Sequence, residues 1–196
     1  MKNSINSIVS VAIAAIALTA CNGGNNNAEE SNAASTAVTQ TEQQANSAET
    51  VAATPINGVV DDYLQLKNAL AADNGQEAAS AGNELMDALK ELGASSLTPE
   101  QKQVYDEVQE DAIEHAEHIG MNADNIEHQR EHFDIISQDM YDLVKAFDGV
   151  QKLYVDYCPM YNDNKGATWL SATEEISNPY LGSAMPTCGE VKEEIN

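Results

Sequence analysis

Positive charge is what this chain most lacks. Nine Lys and Arg stand against 32 Asp and Glu, a formal net charge of −23 over 196 residues, and the sole arginine is Arg130. Such a surface repels nucleic acid and anionic lipid, and no basic patch interrupts it, so a nucleic-acid partner is excluded. Long apolar runs are also missing: the one run, Ile8 to Leu18, is too short to span a bilayer as a mature helix. There is no Gly-rich phosphate loop, no GxSxG, no HExxH and no Cys–His pair set up as nucleophile and base. Asp and Glu are too abundant for any carboxylate pair to stand out, so an enzyme is not expected. Cysteine occurs three times, at 21, 158 and 188.

The first cysteine has a fate of its own. Lys2 supplies a positive start, Ile8 to Leu18 the apolar stretch, and Leu18-Thr19-Ala20-Cys21 closes it with small residues and a cysteine. This resembles the lipobox of bacterial lipoproteins, which implies a signal peptide over 1–20 and lipidation of Cys21. Acyl chains there would tether the protein to a membrane without a spanning helix, with the outer membrane and its periplasmic face as the expected location. Residues 21–55 continue as a tether. They are rich in Asn, Ala, Ser, Thr, Gln and Glu and lack aromatics, so they cannot bury enough apolar surface to offset their ordering entropy. Residues 56–196 are long enough for one core.

Four segments carry helical periodicity. Ile56, Val59, Tyr63, Leu66 and Leu70 step by three and four, and Asn74-Gly75 marks a turn. Leu85, Met86, Leu89 and Leu92 follow, preceded by Ala78, Ala79 and Gly82, small enough to let a neighbouring helix approach; Gly93 is a plausible stop. Thr98-Pro99-Glu100-Gln101 is a capping box with proline at the first helical position, and Val104, Val108, Ala112 and Ile119 mark that helix's inner face. Gly120 to Ala123 is read as the next turn. A fourth helix from Asp124 shows Ile126, Arg130, Phe133, Met140, Leu143, Val144 and Phe147. Short connections predict a mainly α fold, an antiparallel up-down four-helix bundle.

After Gly149 the pattern changes. Leu153 to Tyr157 and Thr168 to Leu170 are β-prone, and Asn162 to Gly166 between them is turn chemistry, so a β-hairpin is expected. The remaining tail should be mostly irregular and packed on the bundle, closing with a short helix near Glu190.

The tail also holds the chemistry. Cys158-Pro159-Met160 and Met185-Pro186-Thr187-Cys188 pair each remaining cysteine with a methionine. Thiolate and thioether are polarisable donors suited to Cu(I)-like ions and poor for Mg²⁺ or Ca²⁺. If residues 157–160 are extended, Cys158 and Met160 point to one face as half of a soft clamp, with Met185 and Cys188 as the other half. The competing outcome is a Cys158–Cys188 disulfide, the usual fate of cysteines in an exported protein, with the methionines as core residues. All four histidines lie between 115 and 132. His115 and His118 share one helical face and His128 and His132 another, and counting from the expected turn sets His115 level with His128. With Ala116, Glu117, Glu127 and Glu131 around them they read as ordinary surface residues; a metal site built from all four is not expected, and the alternative is that one or two contribute to a mixed site. Arg130 reads as an anchor for a carboxylate or for backbone carbonyls, with binding of a carboxylate ligand as the sharper alternative. Trp169, Tyr180 and Tyr157 read as tail-packing aromatics.

From Val59 to Glu194 the chain resembles a family of largely uncharacterised bacterial exported domains. These occur as small lipoproteins and as extensions of heavy-metal efflux periplasmic adaptor proteins. The resemblance rests on Glu127-His128-Gln129-Arg130-Glu131-His132-Phe133 with Ser137, and on Tyr157-Cys158-Pro159-Met160. It also rests on Lys165 to Ser171, on Ile176 to Gly182 and on Met185-Pro186-Thr187-Cys188-Gly189. It implies no established activity. The adaptor association implies a metal-related role and a heavy-metal efflux adaptor or other envelope protein as partner. The expectation is therefore a lipid-anchored, non-enzymatic domain that binds Cu(I) or Ag(I) in homeostasis or resistance, through Cys158, Met160, Met185 and Cys188 with His128 as auxiliary ligand. The alternative is an interaction or envelope-structure lipoprotein stapled by a Cys158–Cys188 disulfide.

Overall fold

Apolar residues at three- and four-residue steps need a partner surface, and in the computed structural model, which describes residues 54–195, they find it in one another. The expected signal peptide, Cys21 and the tether up to residue 53 lie outside the described residues. Helix α1 spans Asn57–Ala71, α2 Gly75–Ala94, α3 Pro99–Met121 and α4 Ile126–Lys145. Ile56, Val59, Tyr63, Leu66 and Leu70 all turn inward, as their spacing predicts.

The helix starts follow local chemistry. Asn74 accepts a hydrogen bond from the Glu77 amide at 3.2 Å and opens α2. Thr98 and Gln101 form the capping box reciprocally: the Gln101 amide donates to the Thr98 hydroxyl at 3.2 Å, and the Thr98 amide to the Gln101 side chain at 3.0 Å. Asn125 caps α4 by accepting from the His128 amide at 3.3 Å.

The glycines read as helix ends serve helix packing: α2 does stop beside Gly93, at Ala94, but the α3–α4 turn falls later than Gly120. Gly93 lies inside α2, where any side chain would collide with Tyr105, whose hydroxyl donates to the Leu89 carbonyl at 2.9 Å. Gly120 lies inside α3 against the Asn83 side chain, and the turn is Asn122–Asn125. Gly82 completes this close approach: a Cβ there would sit 2.9 Å from the Ile119 methyl and 3.1 Å from the Ala116 carbonyl. The small residues at the start of α2 thus serve the α2–α3 contact, as expected.

Beyond the bundle lies a three-stranded antiparallel sheet, β1 Leu153–Cys158, β2 Ala167–Ser171 and β3 Glu190–Ile195, in the order β2-β1-β3. The hairpin β1–β2 is as predicted. Its connection includes Asn162, Asp163 and Asn164 with φ of 51°, 54° and 64°, left-handed positions that Asn and Asp tolerate best. β3 replaces the short helix expected near Glu190. Glu and Lys favour helix locally, but the open edge of β1 offers ladder partners for the backbone groups of this segment that face it, and Val191 and Ile195 alternate inward.

The sheet rests on α4 and α1 and is pinned there by polar contacts inside the core. Tyr63 stacks on Phe133 at 5.3 Å, shares a 2.8 Å hydrogen bond with the Ser137 hydroxyl and accepts one from the Leu170 amide at 3.0 Å. Tyr180 donates to the Thr168 carbonyl at 2.6 Å. Trp169 and Tyr180 are buried, tail-packing aromatics as expected.

Candidate metal centre

The sulfur-bearing residues come together from the ends of two elements. Cys158 is the last residue of β1, opposite Ala167, and its side chain is buried. Cys188 is delivered by Asn178, an entirely buried residue that organises the loop between β2 and β3. The Asn178 carboxamide donates to the Cys188 carbonyl at 2.6 Å and accepts from the amides of Tyr180 and Leu181 at 2.8 and 2.9 Å. A Met185–Cys188 turn, closed by a 3.1 Å hydrogen bond from the Cys188 amide to the Met185 carbonyl, sets the cysteine's direction. Directly after it, Gly189 passes within 2.9 Å of the Trp169 ring, measured from where a Cβ would stand, so no side chain is admitted there.

The result places the two thiols against each other, both free and unlinked. Burial, and then the adjoining Cys158 thiol, push the Cys188 thiol above its ordinary value, while a backbone hydrogen bond from Met160 opposes them. Cys188 therefore carries its proton at neutral pH, and an ion would have to displace it.

Met160 and Met185 do not share the cysteines' burial. The extended run ends at Cys158 and Met160 is already in helical conformation, so the alternation expected to align Cys158 with Met160 stops short. Met160 is 50% and Met185 40% exposed, two of the four large apolar side chains left exposed among the described residues, so neither is a core methionine. His128 has other company. Its contacts are Glu131, His132 and His118, in a group at the closed end of the α3–α4 hairpin that also contains His115. The four histidines are half-buried and face one another, which corrects their reading as ordinary surface residues. Burial, followed by the neighbouring His128, His115 and His118 and opposed by Glu131, brings His132 down to about 4.

Arg130 is the anchor its isolation suggested. Its Nε donates to the Pro179 carbonyl at 2.7 Å, and its Nη2 to the Leu70 carbonyl at 2.9 Å and to Asp73 at 2.5 Å. These bonds engage protein groups and give no support to a ligand-carboxylate role. Beside it, a cleft of about 710 Å³ is lined by Glu127, Glu131, Asp134, Asp163, Tyr161 and Tyr180. Sequence reasoning missed Asn178 as the residue that positions Cys188; its only local signal was the Asn-Pro step that favours a turn.

Fold and site together define a four-helix domain carrying a small sheet with a thiol pair at the end of its central strand. Residues 59–152 match the model of DUF3347, a family described as a protein of unknown function, a stretch that covers α1 to α4 and ends just before β1. Comparison with curated proteins and with solved structures gives no match.

Proposed function

We infer that this protein is a lipid-anchored envelope domain that binds a soft monovalent ion, Cu(I) or Ag(I), for homeostasis or resistance. Cys158 and Cys188 are the primary ligands, and Met160 and Met185 flank them. The observation that carries this reading is the meeting of the two thiols from positions thirty residues apart, beside two turns that leave both methionines exposed. Soft donors of both kinds at one strand end suit a polarisable ion, and exposed thioethers can close on it with little rearrangement. The lipobox-like Leu18-Thr19-Ala20-Cys21 supports the anchor, and an efflux adaptor remains the proposed partner class. His128 leaves the ligand set, because its partners lie elsewhere.

Titration of the reduced full chain with Cu(I) against a chromophoric chelator should show one tightly held equivalent. Changing Cys158 and Cys188 together to Ser should weaken it by about a hundredfold or more, given that thiolates select this ion. Tight binding retained in the double variant would remove this site, and no binding by the reduced chain would remove the function. The adjacency of the thiols also favours a second reading, an interaction or envelope-structure lipoprotein with a Cys158–Cys188 disulfide. Thiol counting before and after reduction, with Cys21 replaced by Ser, separates the two: no reactive thiol in air-purified protein supports the staple, two support the ion.

A further inference from the structure

We propose that His118, His128 and His132 form a second metal site, a three-imidazole site for a borderline divalent ion of the Zn(II)/Cu(II) class, separate from the tail sulfurs and oriented by Glu131 and His115. The donors of these three residues lie within 4.8 Å of one another. They come from two rigid helices: His118 from the end of α3, and His128 and His132, four residues apart, from the first two turns of α4.

The hydrogen bonds around the cluster identify the ligand atoms. His128 Nδ1 lies 3.0 Å from a Glu131 carboxylate oxygen. An ionised carboxylate only accepts, so Nδ1 carries the hydrogen and the lone pair of the neutral ring is on Nε2. That nitrogen faces His132 Nε2 at 3.1 Å. The other nitrogen of His132, Nδ1, lies 2.7 Å from His115 Nδ1. Without an ion, each nitrogen pair must share one hydrogen: His115 Nδ1–H donates to His132 Nδ1, and His132 Nε2–H donates to His128 Nε2. With an ion, His132 becomes the Nδ1–H tautomer and donates to His115 Nδ1, while His115 carries its hydrogen on Nε2. No proton is gained or lost, every inner hydrogen bond but one is kept, and the Nε2 lone pairs of His128 and His132 both face the ion.

The spacing fits such an ion. Zn–N bonds of 2.0–2.1 Å in a tetrahedral site set ligand nitrogens roughly 3.3 Å apart, so the His128–His132 pair already stands near ligand separation and His118 needs no more than about 1.5 Å of adjustment. Imidazole suits Zn, Cu and Ni and has little to offer Mg²⁺ or Ca²⁺. Glu131 on His128 Nδ1 supplies the carboxylate–histidine arrangement that fixes ring orientation and raises ligand basicity, and His115 does the same for His132 through a ring nitrogen. Three protein ligands leave a fourth position for water, and Glu114 stands 3.8 Å from His118 Nε2. A cluster of imidazoles packed only as aromatics would not place two Nε2 atoms head to head.

The test uses the full chain with Cys21→Ser, Cys158→Ser and Cys188→Ser, so that no thiol competes, titrated with Zn(II) in excess Mg²⁺ against a chromophoric chelator. The expected result is one equivalent bound at micromolar affinity or tighter. His132→Gln and His118→Gln should each weaken it about tenfold or more and Glu131→Gln several-fold, while Glu117→Gln should leave it unchanged. In the histidine ¹H–¹⁵N spectrum, Zn(II) should shift the Nε2 resonances of His128 and His132 and move the His115 hydrogen from Nδ1 to Nε2. His118 is the more exposed ring, so His118→Gln keeps the test decisive if circular dichroism shows that His132→Gln unfolds. Absence of stoichiometric binding, or binding unchanged by both substitutions, would overturn the proposal. Because the thiols have been removed, neither outcome bears on the Cu(I) reading.

Discussion

Arg130 joins three parts of the chain with one guanidinium: the end of α1 at Leu70, the Asp73 turn and the tail at Pro179. A lysine offers a point charge without the planar fork, so Arg130→Lys should destabilise the fold by about 2–3 kcal/mol, read as a lower midpoint in urea. The Ser183 side chain first, then Arg130 and the Ser183 amide, hydrogen-bond to Asp73 and lower it to about 2. Its contribution is therefore present above the ordinary carboxylate value near 4 and is lost as pH falls towards 2. Asp139 behaves in the opposite sense. Burial first, then the like charges of Asp111 and Asp142, raise it to about 6, and one of its carboxylate oxygens is buried without a hydrogen-bond partner. The folded state holds that proton more tightly than the unfolded chain between about pH 4 and 6, so stability from this group declines as pH rises through that window. Asp139→Asn should be more stable than the parent above pH 6, by about 1 kcal/mol once solvent screening is allowed, and the difference should vanish below pH 4 in denaturant titrations at each pH.

At the scale of elements, the attachment of the hairpin to the bundle depends on the Tyr63 hydroxyl. It is shared by Ser137 and by the Leu170 amide, which belongs to β2. Tyr63→Phe keeps the ring stacked on Phe133 but leaves a buried amide without a partner, at about 1–3 kcal/mol. Hydrogen exchange should show β2 losing protection while α2 and α3 keep theirs; equal loss everywhere would contradict a local pin. Helix periodicity and the capping box at Thr98 were legible from residues because both are local. The histidine register was not. Taking Gly120 as a turn centres the α3–α4 connection about two residues too early, which shifts the pairing across the hairpin by about four, one helical turn. His115 consequently meets His132 and not His128. Gly120 stays helical because it faces Asn83, a contact that no window within α3 contains.

For the whole molecule, a net charge of −23 is a cost carried by every compact state. Only seven ion pairs involving His, Lys or Arg form among the described residues, and most are exposed. Raising NaCl from about 20 to 300 mM should therefore raise the melting temperature by screening self-repulsion. A flat or falling trend would show that repulsion does not limit stability. Oxidising Cys158 to Cys188 would close a thirty-residue loop and raise stability by about 3–4 kcal/mol. A comparison of melting temperatures under reducing and oxidising conditions measures that effect directly.

By itself the sequence determined the helices, the inward stripes, the hairpin and the acidic surface, because each follows from spacing or composition within a few residues. It also named the sulfur and nitrogen donors. Only the tertiary structure decided which donors meet. Cys188 reaches Cys158 because Asn178 folds the tail back, His128 joins the other histidines because the α3–α4 turn falls at Asn122–Asn125, and the last segment becomes a strand because β1 has an open edge. These outcomes depend on contacts between residues far apart in the chain, whose energies outweigh the local preferences that a linear pattern records.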